Sequence, residues 1–295
     1  MTSVIHGKGE VVDLALTAVF AGGHVLLQDV PGVGKTTLAA ALAAAVGGTF
    51  SRIQFTADLL PGDITGVNVF DQRTAEFSFR AGPLFANVVL ADEINRTSPK
   101  TQSALFEAME EGAVTVDGQT RALPQPFLVV ATQNPYDIHG TFPLPDSQLD
   151  RFLMRLTMGY PDRETERQVL RRSAVRRPVP EGAVETDEVL DLLAAAERVV
   201  VPEEVEDYVL DLTARTRNDA RLLRGVSTRG AQALYRAARA LALVQGRGYV
   251  VPEDILELAV PVLSHRVLPR IGGGPAGDGG VLAIAAILEE LTPPE

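Results

Sequence analysis

Residues 29–37 (DVPGVGKTT) have the residue types and spacing of a phosphate-binding loop. Small residues let successive backbone N–H groups turn toward an anion, and a helix that begins after them directs its positive end at the same point. Lys35 can reach the β- and γ-phosphates of a nucleotide, and the hydroxyl of Thr36 can bind Mg²⁺. We assign ATP or ADP binding to the following residues: Asp29, Val30, Pro31, Gly32, Val33, Gly34, Lys35, Thr36 and Thr37.

Asp29 is the one departure from this loop pattern, because it stands where the first glycine is usual. A carboxylate close to a triphosphate would repel it. We therefore expect Asp29 to lie at the outer edge of the loop, partly solvated. On that expectation, Asp29→Gly would tighten ATP binding severalfold or leave it unchanged.

A second motif is the apolar run 88–91, which ends in Asp92 and Glu93. A buried strand here would deliver Asp92 to the Mg²⁺ shell and place Glu93 to polarise an attacking water. An apolar run that ends in two acidic residues is by itself a common pattern. The preceding phosphate-binding loop in the same α/β unit makes the catalytic interpretation much stronger.

Two further polar residues follow apolar runs. Asn134 follows the apolar run 126–131, separated from it by a threonine and a glutamine. At this place it could hydrogen-bond the γ-phosphate or the lytic water. The alternative is a turn residue before Pro135. Arg151 could stabilise the transition-state charge on phosphate, often from a neighbouring subunit. Its alternative is a salt bridge to Asp150 or Asp146.

The first half of the chain alternates apolar runs with helical patterns, which predicts an α/β fold with a parallel sheet. Strands are predicted over 24–28, 87–91 and 126–131, and helices over 36–46 and 97–111. A hairpin is predicted around Asp117-Gly118, with strands over 114–116 and 120–123. Residues 55–80 read as an insertion with a loop or short helix and a hairpin.

After residue 160 only helical periodicity remains. The predicted helices cover 163–177, 187–198, 202–218, 228–245, 252–267 and 281–291, with a glycine-rich connector at 272–280. We therefore predict an α/β core over 1–160 and an all-helical domain over 161–295. The arginines of 163–177 are interleaved with glutamates, so they indicate a solvated face or a subunit contact.

Composition narrows the class of protein. The 295 residues carry a net charge of −11, which argues against a broad nucleic-acid surface. With no cysteine, the chain has no disulfide, thiol nucleophile or thiolate metal site. The four histidines lack the spacing of a zinc site. No signal peptide or apolar span is evident, so we expect a soluble, cytoplasmic protein.

Taken together, the motifs resemble the MoxR family of AAA+ ATPases, related to magnesium-chelatase motor subunits. The segments that carry the resemblance are GPLFANVVL (82–90), VVLADEINR (88–96), ATQNP (131–135) and GTFPLPDSQLDRF (140–152). The resemblance covers essentially the whole chain. It implies a P-loop AAA+ core followed by a helical lid.

The resemblance also implies roles for individual residues. Residues 29–37 match the Walker A segment, and Asp92 and Glu93 match the Walker B pair. Asn134 matches sensor 1, Arg151 the arginine finger and Arg229 the sensor 2 arginine, although Arg229 could also be a solvated helix residue. Ile5 and Gly7 fall where such proteins contact adenine, but His6 and Lys8 depart from the usual residues there.

The resemblance implies Mg²⁺-dependent ATP hydrolysis by a ring, typically a hexamer, that remodels or matures a protein client. The client is often a protein with a von Willebrand A domain. Two other classes stay open. One is a nucleic-acid motor of the MCM type, which shares the hairpin before sensor 1, and the other is a nucleotide-gated scaffold with weak hydrolysis. A magnesium-chelatase motor would use the same machinery.

Overall fold

The computed structural model describes residues 7–135, 140–171, 184–271 and 278–294. These residues form two compact units. One contains the described parts of Met1–Val12, Leu26–Pro143 and Met158–Val189, and the other contains Asp13–Val25, Leu144–Thr157 and the described parts of Leu190–Glu295. The domain boundary between residues 160 and 161 stays a prediction.

Strands and helices alternate through the first half of the chain, and helices predominate afterwards. The strands are β1 (His24–Gln28), β2 (Phe50–Gln54), β3 (Gly66–Asp71), β4 (Glu76–Ala81), β5 (Val88–Asp92), β6 (Ala113–Val116), β7 (Gln119–Ala122), β8 (Leu128–Gln133), β9 (Phe152–Leu156), β10 (Leu222–Arg224) and β11 (Leu268–Pro269). The helices are α1 (Gly9–Phe20), α2 (Lys35–Ala45), α3 (Pro61–Thr65), α4 (Pro99–Glu111), α5 (Asp146–Leu149), α6 (Arg163–Arg171), α7 (Thr186–Glu197), α8 (Glu203–Asn218), α9 (Thr228–Val244), α10 (Pro252–Leu263) and α11 (Gly279–Glu290). A 3-10 turn, Ile94–Arg96, follows β5.

Five strands form one sheet in the order β2-β5-β8-β1-β9. β2 pairs with β5 in parallel, ending with Gln54 opposite Asp92, and β5 pairs with β8 in parallel, ending with Ala91 opposite Ala131. β5 and β8 are buried almost throughout, which explains their continuous apolar runs. Parallel pairing brings the carboxyl ends of these strands to one edge. The predicted α/β fold is confirmed.

The predicted insertion over residues 55–80 contains the short helix α3 and the antiparallel hairpin β3–β4. A second hairpin, β6–β7, turns at Asp117, whose φ is 51°. Asn68 Nδ2 donates to Asp117 Oδ2 at 2.7 Å, and the Arg121 guanidinium lies 4.1 Å from the ring centroid of Phe79. The two hairpins therefore contact each other through both polar and aromatic side chains.

The second unit has a helical core in which α9 packs on α10 and α10 on α11. Leu234 and Leu241 of α9 and Leu258 of α10 are fully buried. α11 approaches the end of α10 so closely that a Cβ on Gly280 would lie 2.1 Å from the carbonyl oxygen of Ser264. Glycine is therefore required where the chain closes over the residues after α10.

The structure differs from the sequence prediction at several elements. β2 and β9 were not predicted, because the polar residues in FSRIQ and FLMRL interrupt the apolar pattern of a buried strand. α10 ends at Leu263, four residues before the predicted end at 267, and α11 begins at Gly279, two residues before 281. Residues 172–177 of the predicted basic helix and 272–277 of the connector lie outside the described residues. No helix in the described ranges is long and apolar enough to cross a membrane.

Candidate nucleotide site

The loop between β1 and α2 has the backbone conformation that its glycines allow. Gly32 has φ of 87° and Gly34 has φ of 100°, both in the left-handed region that favours glycine. Gly34 is also the N-cap of α2 and offers no side-chain cap. The first N–H groups of α2 therefore lack a side-chain acceptor at the cap, and a helix N-terminus of this kind favours an anion.

Lys35 begins α2, and its side chain folds back over the loop. Its Nζ donates to the carbonyl oxygens of Asp29 at 2.9 Å and Val30 at 3.2 Å. Burial lowers the pKa of Lys35, while the charges of Asp29, Asp92 and Glu93 oppose that shift. The negative charges of all three carboxylates therefore favour the protonated form of Lys35.

Asp29 is buried, with 7% of its surface exposed, so the expectation of a partly solvated edge position is wrong. Its Oδ1 accepts from the N–H of Val30 at 2.8 Å, and its Oδ2 accepts from the N–H of Gly159 at 2.6 Å. Its own N–H donates to Gln133 O at 3.2 Å. The carboxylate therefore ties the loop to the chain after β9 and to the end of β8, within the first unit.

Thr132, near the end of β8, fixes both residues of the acidic pair. Its hydroxyl donates to Asp92 Oδ1 at 2.6 Å and accepts from the N–H of Glu93 at 2.9 Å. Thr132 is 1% exposed, so this hydroxyl is shielded from water. Sequence reasoning missed Thr132. The available signal was a hydroxyl residue inside an otherwise apolar strand next to the acidic one.

Glu93 adopts the left-handed conformation, with φ of 59° and ψ of 50°, which is uncommon for a residue other than glycine. Its carboxylate accepts from Gln54 Nε2 at 3.1 Å and pairs with Arg96 Nε at 3.0 Å. Asp92 Oδ2 pairs with Arg52 Nη2 at 2.6 Å. The ends of β2 and the 3-10 turn thus supply partners for both carboxylates.

The remaining predicted residues of the first unit lie after β8, at the start of α2, beside Thr165 or outside the described ranges. Asn134 directly follows β8 and is half-buried, while Thr36 and Thr37 are in the first turn of α2. Gly7 has φ of 69°, and a Cβ there would lie 2.9 Å from Thr165 Oγ1. Ile5 lies outside the described residues.

Arg151 and Arg229 belong to the second unit, where both line a cavity of about 700 Å³. Ser227 caps α9 by accepting from the N–H of Gly230 at 3.1 Å, which fixes the helix turn that carries Arg229. Arg229 Nε lies 3.8 Å from Asp150 Oδ2. The structure therefore brings these two arginines of the second unit to one cavity.

The cavity has a surplus of positive charge. Arg236 and Arg266 also line it, against the carboxylates of Asp150 and Glu206. Burial, together with the nearby charge of Arg229, lowers the pKa of Arg236. Such a surplus of guanidinium groups is suited to an anion with several oxygens.

The donor atoms around Thr36 and Asp92 are a hydroxyl and a carboxylate, which are the hard oxygen ligands that Mg²⁺ accepts. No group of three or more His, Cys, Asp or Glu residues suited to a metal occurs within the described ranges. Mg²⁺ usually binds through one or two carboxylates plus substrate phosphates. These residues therefore fit a metal that is held jointly with a nucleotide.

Comparison with known proteins identifies two family matches along the chain. Residues 24–154 match the family "ATPase family associated with various cellular activities (AAA)", and residues 214–282 match "AAA lid domain". A crystal structure of a protein from Cytophaga hutchinsonii has a TM-score of 0.88 and 37% identity, and the match covers 99% of this chain and 92% of that one.

Two curated relatives are similar over most of their length. Uncharacterized protein YeaC of Bacillus subtilis is 49% identical over 90% of this chain and 83% of its own. Chaperone MoxR1 of Mycobacterium tuberculosis is 42% identical over 98% of this chain and 76% of its own. Because this identity extends over nearly the whole chain, the protein belongs to the MoxR family of AAA+ ATPases.

Proposed function

We propose that the protein hydrolyses ATP in a Mg²⁺-dependent reaction and uses it to remodel or mature a protein client. The observation that carries this proposal is the placement of Lys35. Its ammonium bridges two loop carbonyls at a helix N-terminus and feels the charges of Asp92 and Glu93. A cation in this position can exchange its carbonyl partners for phosphate oxygens without leaving the loop.

Nucleotide binding would use the loop as a preformed cradle. The positive φ angles of Gly32 and Gly34 turn the backbone toward the start of α2, whose N–H groups favour an anion. The Asp29 carboxylate is occupied by two N–H donors, so it is not aimed at the phosphates as a bare charge. We place adenine near Ile5 and Gly7, on the resemblance stated above.

Hydrolysis would begin with Glu93 as general base. It takes a proton from water while the water oxygen bonds to the γ-phosphorus and the bond to the bridging oxygen of ADP breaks. Asn134 orients the water or the γ-phosphate. Thr132 keeps the backbone of Glu93 in place, so that only its side chain has to turn away from Gln54 and Arg96.

Thr36 and Asp92 would hold Mg²⁺ together with the β- and γ-phosphates. The bound ion neutralises charge that develops on the phosphate oxygens. Thr132 already orients one carboxylate oxygen of Asp92, and Arg52 pairs with the other. Because Arg52 is about half exposed, that ion pair contributes little and can be released when the metal binds.

Arg151 and Arg229 would act on the ATP of a neighbouring subunit in a ring, which we propose to be a hexamer. Both arginines line one cavity with a surplus of positive charge. A triphosphate has the oxygens to satisfy several guanidinium groups at once. This arrangement makes hydrolysis depend on assembly.

The client is proposed to be a protein, such as one with a von Willebrand A domain, in the cytoplasm. The net charge of −11 disfavours a nucleic-acid track. The arginine of the β6–β7 hairpin, Arg121, is already engaged by Phe79 and by Gln119 Oε1 at 2.8 Å. Stimulation of ATP turnover by DNA would favour the motor of the MCM type instead.

Removing the carboxylate of Glu93 should separate binding from hydrolysis. In Glu93→Gln we expect phosphate release to fall at least about 100-fold while ATP affinity is kept, since a general base contributes about that much or more. Lys35→Ala should lose ATP binding itself in calorimetry. Glu107→Gln, an exposed change of the same type on α4, is the control and should behave as wild type. Parental turnover in Glu93→Gln would rule out Glu93 as the base.

Asp29→Gly should lower the free energy of unfolding and weaken ATP binding, whereas the sequence alone led us to expect tighter or unchanged ATP binding. Loss of the buried carboxylate leaves two part-buried N–H groups without their acceptor, which costs about 1–3 kcal/mol in unfolding free energy. ATP affinity should fall with it, because the loop loses its tie to Gly159. Glu76→Gln, an exposed change that also removes one negative charge, is the control. Unchanged stability with tighter ATP binding would restore the repulsion model.

Thr132→Val should slow hydrolysis with little change in ATP affinity. The change keeps the shape but removes the hydroxyl that bridges Asp92 and Glu93. A buried hydrogen bond to a charged group, left unmade, costs about 1–3 kcal/mol, which corresponds to roughly 5- to 150-fold in rate. Thr132→Ser keeps the hydroxyl and should retain most turnover. Equal turnover in Thr132→Val and Thr132→Ser would contradict a bridging role.

Mixing two inactive variants tests whether Arg151 acts on a neighbour. Lys35→Ala subunits still carry Arg151, and Arg151→Ala subunits still hold ATP. Mixed rings should therefore recover activity that rises with protein concentration, because an arginine supplied in trans can be worth about a thousandfold or more in rate. If native mass spectrometry confirms mixed rings and no turnover returns, the trans role is refuted.

A further inference from the structure

Arg266 lies just beyond α10 in the second unit, and its guanidinium is buried against the chain around Arg151. Its side chain is only 3% exposed. Nε donates to Asp150 Oδ1 at 2.7 Å. Nη2 donates to the carbonyl oxygens of Asp150 at 3.1 Å and Phe152 at 2.7 Å, and Nη1 donates to Leu153 O at 3.0 Å. One side chain therefore holds the backbone on both sides of Arg151.

The burial of this charge is compensated by a full set of acceptors. Nη1 also donates to Val262 O and lies 2.7 Å from His265 Nε2. Burial lowers the pKa of Arg266 to about 10, against the opposing charge of Asp150, so the guanidinium stays protonated at neutral pH. Burial and the charge of Arg266 hold the pKa of His265 well below its usual value, so the ring is neutral, and its Nε2 lies 3.0 Å from the carbonyl oxygen of Phe152.

Asp150 connects this buried group to the cavity. Its Oδ1 binds Arg266, while its Oδ2 lies 3.8 Å from Arg229 Nε. The same carboxylate thus contacts the buried arginine and one of the two arginines that we assign to the neighbour's phosphates. A shift of the Asp150 side chain would therefore change the position of both Arg266 and Arg229.

We propose that Arg266 is a positioning residue for Arg151. It fixes the peptide units before and after Arg151, and through Asp150 it sets the position of Arg229. The planar fork of the guanidinium is needed, since the ammonium of lysine cannot reach acceptors on three sides at once. The proposal rests on the proposed role of Arg151 in hydrolysis, and it adds that the residues after α10 determine where Arg151 points.

The test uses Arg266→Lys, which keeps the charge but not the fork. We expect turnover to fall about 10- to 100-fold, because a misplacement near 1 Å can cost that much, while ATP affinity stays unchanged. Asp150→Asn is a second variant for the case that Arg266→Lys does not fold, and it should show the same split in a milder form. Arg247→Lys is the matched control: Arg247 pairs with the buried Asp254 in the same unit and also donates to the carbonyl oxygen of Tyr249 and to Gln245 Oε1.

If Arg266 only stabilised the fold, the effect of Arg266→Lys would be the same with or without Arg151. The double variant therefore separates a positioning role from a structural one. Arg151→Ala/Arg266→Lys should turn over no more slowly than Arg151→Ala. In mixed rings, Lys35→Ala subunits should rescue Arg266→Lys, whereas Arg151→Ala subunits should not. Wild-type turnover in Arg266→Lys, or a further loss in the double variant, would overturn the positioning role. An Arg151→Ala protein with normal turnover would instead refute the proposed function on which it rests.

Discussion

Parallel pairing of β5 with β8 places Asp92 and Thr132 side by side where the two strands leave the sheet, and the site depends on the hydrogen bond between them. The register ends with Ala91 opposite Ala131, so the next residue of each strand faces the other. The Thr132 hydroxyl then binds the Asp92 carboxylate and the Glu93 amide at once. A one-residue shift of β5 against β8 would turn the Asp92 side chain to the other face of the sheet, away from the Thr132 hydroxyl.

The loop before α2 is held at the same edge of the sheet by Asp29. Asp29 reaches Gly159 through its side chain and Gln133 through its N–H. Its carboxylate therefore fixes the position of the loop. Lys35 donates to the carbonyl oxygens of the same loop residues, Asp29 and Val30. The chemistry needs a loop that is already shaped before ATP arrives, because ordering it on binding would cost affinity.

Much of this arrangement could be predicted from sequence, and the reasons for the exceptions are physical. The glycines, Lys35 and the acidic pair were recognisable because their roles depend on local spacing, and the α/β fold followed from continuous apolar runs. The burial of Asp29 could not be predicted, because its partner Gly159 is distant in sequence and only the fold brings them together. Arg266 was not recognised for the same reason: the sequence prediction places it near the end of a helix, and its acceptors lie around Arg151, which is distant in sequence. The chemical roles of all the predicted site residues, Asn134, Ile5 and Gly7 among them, stay predictions.

A structure of the assembled protein with Mg²⁺ and a non-hydrolysable ATP analogue tests the central claim most directly. The account predicts that Lys35 Nζ leaves the carbonyls of Asp29 and Val30 for phosphate oxygens, with the metal between Thr36 and Asp92. It also predicts that Arg151 of a neighbouring subunit contacts the γ-phosphate. A nucleotide bound elsewhere, with Lys35 still on the two carbonyls, would contradict the account.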